Sequence, residues 1–343
     1  MPTLKETISL DTAEKRRFFE LIRLFKNARI LVLGDFILDQ FVWGNVQRIS
    51  PEAPVPVVDV QRESYMPGGS LNVANNIRTL GGTVYPCGVV GRDLAGRMLL
   101  KAMRREGIHT EGIIYDRLRP TTVKTRVIAH SQQVVRFDRE NGNDISKEDC
   151  QNILRFVKQS IPAIDLVIIE DYGKGVIQPT LLKEVIRLAK KHKRKILVDP
   201  KEKHIAYYGG VTALTPNRKE AFTAYENICQ NNHHVPTLEQ VGSRLLRKLK
   251  SEALLITLGE DGMALFEKSG SLTRIPTAAR EVYDVSGAGD TVIAVFGLAL
   301  ASGARMREAA MLSNLAAGIV IGKLGTATID REELEAVVNQ WQK

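Results

Sequence analysis

The chain has 343 residues, of which 44% are hydrophobic, and a formal net charge of +9. This length and apolar content are enough to bury a large core, in one large α/β domain or in two smaller ones. Three widely spaced cysteines, Cys87, Cys150 and Cys229, form no C-x-x-C pair, which argues against a disulfide framework and a zinc site. The longest apolar run is too short to span a bilayer and no secretory leader is visible, so we expect a cytoplasmic protein with no membrane partner.

The positive charge is dispersed, with one dense basic run at residues 190–195. That run follows a predicted helix, where cations complement the helix dipole, and no aromatic residues are interleaved with it. We therefore expect no nucleic-acid partner. The net charge remains compatible with anionic small ligands.

Apolar strand-like runs alternate with amphipathic helical stretches along most of the chain. An amphipathic helix at residues 12–27 belongs to an N-terminal extension, residues 1–28, that is expected to pack as an appendage on a single domain at residues 29–343. Core strands are expected at residues 30–33, 83–90, 166–169, 196–198 and 254–257. This alternation predicts an α/β fold with a mainly parallel sheet and helices on both faces.

The carboxyl ends of these strands are where a ligand should bind, because open parallel sheets hold their ligands at that edge. The residues that directly follow the predicted strands are Gly34-Asp35, Glu170-Asp171, residues 199–201 and residues 258–259. Acids and a lysine are therefore expected to cluster at this edge.

Two segments do not follow the alternation of strands and helices. Residues 55–61 and 122–138 have strand character but are too polar on one face for the central sheet. They predict a small β-lid, built from segments around 40–62 and 115–140, that projects from one edge of the domain. Exposed lid strands can pair with a second copy, so a homodimer through the lid is expected.

Residues 284–291 combine two glycines with an acid at the start of an apolar helical run. The N–H groups of a first helical turn have no intrahelical partner, and the helix dipole favours an anion beside them. We therefore interpret Gly287, Ala288 and Gly289 as an anion hole and Asp290 as a base beside it. The same dipole predicts a low pKa for Asp290. The alternative is a helix start without function, with Ser286 as its N-cap.

Four motifs resemble, in order along the chain, the signatures of the ribokinase-like (PfkB) carbohydrate kinases, over roughly residues 28–335. They are residues 68–74, 217–220, 257–262 and 284–290. Within that family, residues 48–57, 171–175 and 198–201 look like the D-glycero-D-manno-heptose 7-phosphate kinases of lipopolysaccharide precursor synthesis. Taken alone, two of the motifs also have structural explanations, since Asn217 and Glu220 can form a capping box and Gly68-Gly69 can form a strand-to-helix turn.

The resemblance implies a ribokinase-like α/β fold with a small β-lid, and it implies roles residue by residue. Asp290 matches the catalytic base, and Gly287, Ala288 and Gly289 match the anion hole. The implied sugar-binding residues are Asp35, Asp39, Gly69, Asn72 and Asp199. Asn217 and Glu220 match the motif that organises Mg²⁺ and the phosphates through water. The implied nucleotide-binding residues are Asn217, Glu220, Thr257, Gly259, Gly262 and Asn314.

The reaction implied by the resemblance transfers the γ-phosphate of ATP, with Mg²⁺, to the anomeric hydroxyl of a heptose 7-phosphate and gives the 1,7-bisphosphate. A phosphorylated sugar needs fixed cations opposite its reacting end, and the candidates are Lys174, Lys201, Arg136 and Arg48. Two alternatives stay open: a kinase for another sugar or sugar phosphate, and a sugar- or nucleotide-sensing module without catalysis. Since the chain ends about fifty residues after Asp290, we expect the kinase without a fused nucleotidyltransferase.

Overall fold

The computed structural model describes residues 11–130, 132–229, 235–279, 283–323, 325 and 327–341, which form ten helices and thirteen strands. The helices are α1 (Thr12–Leu24), α2 (Ser70–Thr79), α3 (Leu94–Arg105), α4 (Lys147–Ser160), α5 (Pro179–Lys191), α6 (Arg218–Cys229), α7 (Leu238–Leu249), α8 (Ala288–Ala301), α9 (Met306–Val320) and α10 (Arg331–Gln340). The strands are β1 (Arg29–Gly34), β2 (Phe36–Ile49), β3 (Pro56–Gly69), β4 (Thr83–Gly91), β5 (Ile113–Asp116), β6 (Thr122–Ala129), β7 (Gln132–Arg139), β8 (Leu166–Glu170), β9 (Lys195–Asp199), β10 (Ala213–Leu214), β11 (Ala253–Thr257), β12 (Met263–Glu267) and β13 (Leu272–Ile275).

Nine strands form one large sheet in the order β13-β12-β11-β10-β9-β8-β1-β4-β5. Neighbours from β11 to β5 pair in parallel, whereas β12 and β13 are antiparallel additions at one edge. All five predicted core strands are present, and each end lies within one residue of its predicted position. The predicted mainly parallel sheet is therefore confirmed.

Both faces of the large sheet are covered by helices. Successive side chains of a strand point to opposite faces, so Ile30 and Val32 join one hydrophobic cluster while Leu31 and Leu33 join the other. Helices α1, α2, α3, α8, α9 and α10 cover the first cluster, and α4, α5, α6 and α7 cover the second. Because both faces are buried, the central strands are almost continuously apolar, which is the pattern that made them recognisable.

A second, small sheet contains four strands in the order β3-β2-β6-β7. Its central pair, β2 and β6, is parallel, and the two outer pairs are antiparallel. The predicted lid segments fall largely in this sheet, but β2 begins earlier and β3 ends later than expected. Tyr115 and Asp116 belong instead to β5, which pairs with β4 in the large sheet. Only Asp35 separates β1 from β2, so the apolar run does not show where one strand ends.

Helix α1 begins with a reciprocal capping box between Asp11 and Glu14. Its Phe18, Leu21 and Ile22 are buried in the core beside the large sheet, so the helix is integrated into the domain and is not an appendage. Residues 1–10 of the expected extension lie outside the described residues. Within the described ranges, no helix combines the length and the apolar character that a membrane span requires.

Candidate active site

The first turn of α8 carries Asp290, which is 3% exposed. Its N-cap, Gly287, has φ 79°, a left-handed conformation that glycine adopts without strain. One Asp290 carboxylate oxygen accepts a hydrogen bond from the Asn72 amide at 2.7 Å, and the other accepts one from the Tyr172 hydroxyl at 2.7 Å. The start of α2, the loop after β8 and the start of α8 therefore converge on this one carboxylate.

The pKa of Asp290 differs from the sequence-based expectation. Burial raises the pKa of Asp290 to about 6, although the hydrogen bonds from Asn72 and Tyr172 act in the opposite direction. The expected low pKa is therefore wrong, because loss of solvation outweighs the field of the α8 dipole at this buried position. A carboxylate with a pKa near neutrality is better suited to accept a proton than an ordinary aspartate.

Two further carboxylates lie beside Asp290. One side-chain oxygen from each of Glu170, Asp199 and Asp290 lies within 4.8 Å of the others. Burial, together with the neighbouring negative charges, holds the pKa values of Glu170 and Asp199 well above their ordinary range. Glu170 is 1% exposed, and its Oε2 has no hydrogen-bond partner among the described residues. Such a set of buried carboxylate oxygens suits a hard divalent cation such as Mg²⁺.

The start of α6 brings Asn217 and Glu220 together. The backbone N–H of Asn217 donates to Glu220 Oε2 at 2.9 Å, and the Glu220 N–H donates to Asn217 Oδ1 at 2.9 Å. This reciprocal capping accounts for the local structure. It does not show whether Asn217 and Glu220 only cap the helix or also organise Mg²⁺ and the phosphates. Burial raises the pKa of Glu220, and its charge in turn helps to raise the pKa of Asp199. The motif therefore lies next to the three-carboxylate cluster.

A cavity of about 630 Å³ lies beside the N-terminus of α8. Besides Asn217 and Glu220, four residues were expected to bind the nucleotide, and all four line this cavity: Thr257, Gly259, Gly262 and Asn314. Two residues of the expected anion hole, Ala288 and Gly289, line it as well. Its walls also include Met263, Val292 and Ile321, which supply apolar surface. Gly262 has φ 80°, and a Cβ there would lie 2.1 Å from the Ile275 carbonyl oxygen, so only glycine fits.

Asp35 does not lie on the surface of the site. It is 2% exposed, and its carboxylate accepts hydrogen bonds from the backbone N–H groups of Tyr172, Lys174 and Val176 at 3.0, 3.0 and 3.1 Å. These bonds hold the loop after β8 in position, and the expected role of Asp35 as a sugar contact stays a prediction. Since Tyr172 donates to Asp290, this loop connects Asp35 to Asp290.

Asp39 and Gly69 lie at the junction of the small sheet with α2. Asp39 is 3% exposed, and its Oδ1 accepts from the Arg126 guanidinium at 2.6 Å. Gly68 packs so closely against Asp39 that a Cβ there would lie 2.0 Å from Oδ2. Gly69 is the N-cap of α2 with φ 58°, and the Asn72 side chain of α2 donates to Asp290. The small sheet therefore joins the site through the start of α2.

Two of the candidate cations lie on this side of the site. The Lys174 ammonium pairs with Glu140 at 2.6 Å. The Arg136 guanidinium donates to both carboxylate oxygens of Asp138, at 2.9 and 2.6 Å. Both cations are therefore near the junction of the small sheet with the loop after β8.

Of the other two candidate cations, Lys201 lies between the loop after β8 and the Asn217 motif. Its Cγ is 3.5 Å from the position that a Cβ on Gly173 would take, its ammonium pairs with Glu202 at 3.0 Å, and its charge opposes the rise in the pKa of Glu220. Arg48 is exposed near the end of β2, nine residues beyond Asp39 or about 30 Å along the strand. Within one chain, Arg48 is too distant to join the other cations.

Glu170 and Tyr172 had no assigned role in the sequence-based expectations, although Glu170 was among the acids expected to cluster at the carboxyl edge of the sheet. It is the last residue of β8, and the other four residues of that strand are apolar. Tyr172 lies in a stretch that was singled out only for its resemblance, and its contact with Asp290 depends on tertiary structure.

Comparison with known proteins identifies relatives over most of the chain. The family described as pfkB family carbohydrate kinase matches residues 27–333. The bifunctional protein HldE of Desulfatibacillum aliphaticivorans is 47% identical over 315 residues, which cover 92% of this chain and 64% of that protein. The protein of the same name from Geobacter sulfurreducens is 47% identical over 304 residues, which cover 89% and 61%. The chain thus spans less than two thirds of the length of these two relatives.

Solved structures share the fold at lower sequence identity. Phosphofructokinase-2 from Escherichia coli in complex with potassium superposes with a TM-score of 0.75 at 17% identity, covering 92% of this chain and 99% of that chain. Ribokinase from Thermotoga maritima gives a TM-score of 0.71 at 21% identity, covering 91% and 99%. Arabidopsis thaliana ribokinase complexed with ribose and ATP gives 0.69 at 19%, covering 91% and 98%. The expected ribokinase-like fold is thereby confirmed.

Proposed function

The chain belongs to the pfkB family of carbohydrate kinases, and on that premise we propose that it phosphorylates the anomeric hydroxyl of D-glycero-D-manno-heptose 7-phosphate with ATP. The observation that carries the reaction type is the position of Asp290. It lies at a glycine-rich helix start, between a cavity lined by Gly259, Gly262 and Asn314 and a junction that contains Asp39. Nucleotide and sugar can therefore meet at one carboxylate.

The proposed step needs little covalent chemistry from the protein. The anomeric oxygen attacks the γ-phosphorus, the bond from that phosphorus to the β–γ bridging oxygen breaks, and ADP leaves. Asp290 accepts the proton of the attacking hydroxyl, while backbone N–H groups at the start of α8 face the charge that develops on the phosphoryl oxygens. The Ala288 N–H already donates to the Val285 carbonyl at 3.3 Å, so we assign more of this role to Gly289.

We propose Mg²⁺ as the metal of the site. The orphaned Oε2 of Glu170, the neighbouring Asp199 and the half-buried Glu220 provide the oxygen ligands that this ion prefers, with Asn217 acting through water. When bound, the ion supplies positive charge that neutralises the phosphates of the nucleotide. Assigning Asp199 to the metal moves it from the sugar-binding role implied by resemblance.

The substrate assignment rests on residues 48–57, 171–175 and 198–201, which look like heptose 7-phosphate kinases, and on the similarity to the bifunctional HldE proteins. We further propose that the small sheet closes over the sugar as a lid on one kinase domain, that two copies pair through it, and that the protein works in the cytoplasm. The last of these follows from its proposed substrates, ATP and a sugar phosphate.

A screen of acceptors tests the proposal. The purified chain is incubated with ATP, Mg²⁺ and, separately, heptose 7-phosphate, the unphosphorylated heptose, ribose and fructose 1-phosphate, and the position of the new phosphate is read by phosphorus NMR. We expect the highest kcat/KM with heptose 7-phosphate and a new phosphate on the anomeric carbon. A preference for another acceptor would reassign the substrate, and no turnover with any acceptor would favour a sensing module.

A further inference from the structure

One face of the small sheet, which we call the inner face, carries Asp39 of β2, Lys124 and Arg126 of β6, and Arg136 and Asp138 of β7. Side chains two residues apart in a strand share a face, and the register places Lys124 beside Asp39 and opposite Asp138. Arg126 lies directly opposite Arg136. Charged groups from three adjacent strands therefore occupy a single surface.

The cations of the inner face are held in fixed positions. Arg126 pairs with Asp39 at 2.6 Å and lies over the Phe41 ring, 5.3 Å from its centroid. Lys124 and Arg136 share Asp138, at 3.1 and 2.6 Å, and their charges hold the pKa of Asp138 well below its ordinary range. The side chains of Lys124 and Arg126 are only 12% and 14% exposed. Partly buried cations held in this way need little reordering to bind an anion.

The arrangement of the two arginines favours an anionic ligand. Like charges directly opposite each other in an antiparallel pair destabilise a sheet. Arg126 and Arg136 nevertheless face each other, and the five charged residues named above comprise three cations and two carboxylates. A phosphate group between the two guanidinium groups would relieve their repulsion, and guanidinium binds phosphate through paired hydrogen bonds.

The inner face adjoins the site on the side of the sugar. Asp39, the partner of Arg126, packs against Gly68, and α2 begins directly after Gly69 and presents Asn72 to Asp290. The charge of Asp39 also contributes to the raised pKa of Asp290, as expected for close neighbours. The proposed nucleotide cavity is lined by Ala288, Gly289 and Val292 of α8, which project from other directions around the helix than Asp290 does. A sugar whose reacting hydroxyl meets Asp290 would therefore direct its far end toward the inner face.

We infer that Lys124, Arg126 and Arg136 bind the phosphate group of a sugar phosphate substrate at the end remote from the transferred phosphoryl group. This inference rests on the proposed function and adds the residues that select a phosphorylated sugar over a neutral one. Two of these cations, Lys124 and Arg126, were not among the candidates from the sequence.

The test compares two acceptors that differ only in the phosphate, heptose 7-phosphate and the unphosphorylated heptose. We expect Arg126→Gln and Arg136→Gln each to raise KM for heptose 7-phosphate about ten- to a hundredfold, since a hydrogen bond between charged groups is lost. For Arg136→Gln, KM for the unphosphorylated heptose and KM for ATP should change less than threefold. Arg126→Gln also removes the partner of Asp39, so for this variant we expect KM to rise more for heptose 7-phosphate than for the unphosphorylated heptose. The ratio of the two sugar KM values thus reports the phosphate contact separately from any general damage.

The matched control is Arg139→Gln. Arg139 is on β7 like Arg136 but points to the other face, where it lies 3.8 Å from Asp93, and its side chain is 60% exposed. It should leave both sugar KM values unchanged. If Arg126→Gln does not fold because Asp39 loses its partner, Arg136→Gln and Lys124→Gln test the inference instead. Arg136→Gln should fold, since the Arg136 side chain is 43% exposed on an edge strand.

Two failures are distinguishable in this experiment. If the wild-type chain uses heptose 7-phosphate and the Arg136 and Lys124 variants keep its KM within threefold, the inference is overturned and the proposed function stands. If the wild-type chain prefers an unphosphorylated sugar, the proposed function itself fails. An equal rise in KM for both acceptors also overturns the inference, because the loss then does not depend on the phosphate.

Discussion

The carboxylate of Asp290 is the residue on which the proposed chemistry depends. We expect Asp290→Asn to lower kcat by about 10²–10⁴-fold, because the proton acceptor is lost. Asparagine keeps the size of the side chain and can still accept from Asn72 or Tyr172, so the fold and the nucleotide cavity should persist. Steady-state kinetics measure the fall in kcat, and the dissociation constant of ADP shows whether the cavity is intact. Near-normal turnover in the folded variant would remove Asp290 from the mechanism.

The raised pKa of Asp290 predicts a pH dependence. The residue must be ionised to accept a proton, and its pKa is about 6, so kcat should fall as the pH drops through about 6 and stay level above it. The substrate phosphate has a pKa near 6 as well, so the profile is measured as kcat with saturating substrates, which reports the bound complex. The residual rate of Asp290→Asn should lack this decline. A wild-type kcat that is constant down to pH 5 would contradict the assignment.

Asp35 is predicted to act through stability and loop position. Replacing it by asparagine presents an amide N–H₂ to backbone N–H groups that now donate to a carboxylate. We expect Asp35→Asn to lower the free energy of unfolding by about 1–3 kcal/mol for each N–H left unpaired. Urea denaturation measures this change. A direct sugar contact would instead raise KM and leave the unfolding free energy unaltered.

At the scale of elements, a substitution of Glu220 at the start of α6 distinguishes a role in helix capping from a role in metal binding. Glu220→Gln keeps a side-chain oxygen that can cap Asn217, so thermal stability should change little. It removes a charge beside Asp199, so a higher Mg²⁺ concentration should be needed for the half-maximal rate. Activity measured against Mg²⁺ concentration, with the melting temperature as control, tests this. An unchanged Mg²⁺ profile would make the motif a helix start only.

The elements that could be predicted from the sequence are the strands whose apolar pattern results from burial on both faces. β1, β4, β8, β9 and β11 are apolar because both faces are buried, and their positions were predicted within one residue. β10 has only two residues and gives no periodic signal. β2 continues the apolar run of β1 and then alternates on a half-exposed sheet, so its start could not be read from hydrophobicity.

Only those parts of the site that depend on local sequence could be predicted. The motif at residues 257–262 placed Thr257, Gly259 and Gly262, and the family resemblance added Asn314. All four line one cavity, although their roles remain predictions. The pKa of Asp290 depends on burial and on partners distant in sequence, and the expected low value was wrong. The three backbone N–H groups that donate to Asp35 are also distant in sequence and could not be predicted. The resemblance could transfer a residue's role but not the contacts that decide whether it is accessible.

At the scale of the whole molecule, the outer face of the small sheet exposes three large side chains with apolar surface. Tyr65, Val135 and Phe137 are 41%, 48% and 57% exposed, and the register places them on the face opposite the inner one. If two copies pair there, Phe137→Asp should shift the chain from dimer to monomer, since it buries a charge in the interface. Leu118→Asp, at a 94% exposed apolar residue outside this sheet, is the control.

Light scattering coupled to size-exclusion chromatography gives the mass of each variant. A wild-type dimer that persists in Phe137→Asp, or a wild-type monomer at micromolar concentration, would contradict pairing through this face.

The parallel pairing of β2 with β6 has a consequence for how the chain acquires its site during folding. The contact between Asp39 and Arg126 closes a separation of 87 residues, and β4, α3 and β5 lie in the intervening sequence. The β2–β3 and β6–β7 hairpins are local, but joining them carries the entropic cost of a long loop, and such pairings form slowly. The residues that line the proposed nucleotide cavity all lie between 257 and 321, and none of them belongs to the small sheet. We therefore expect this cavity to form early in folding, and the surface that we propose selects the sugar to be assembled last.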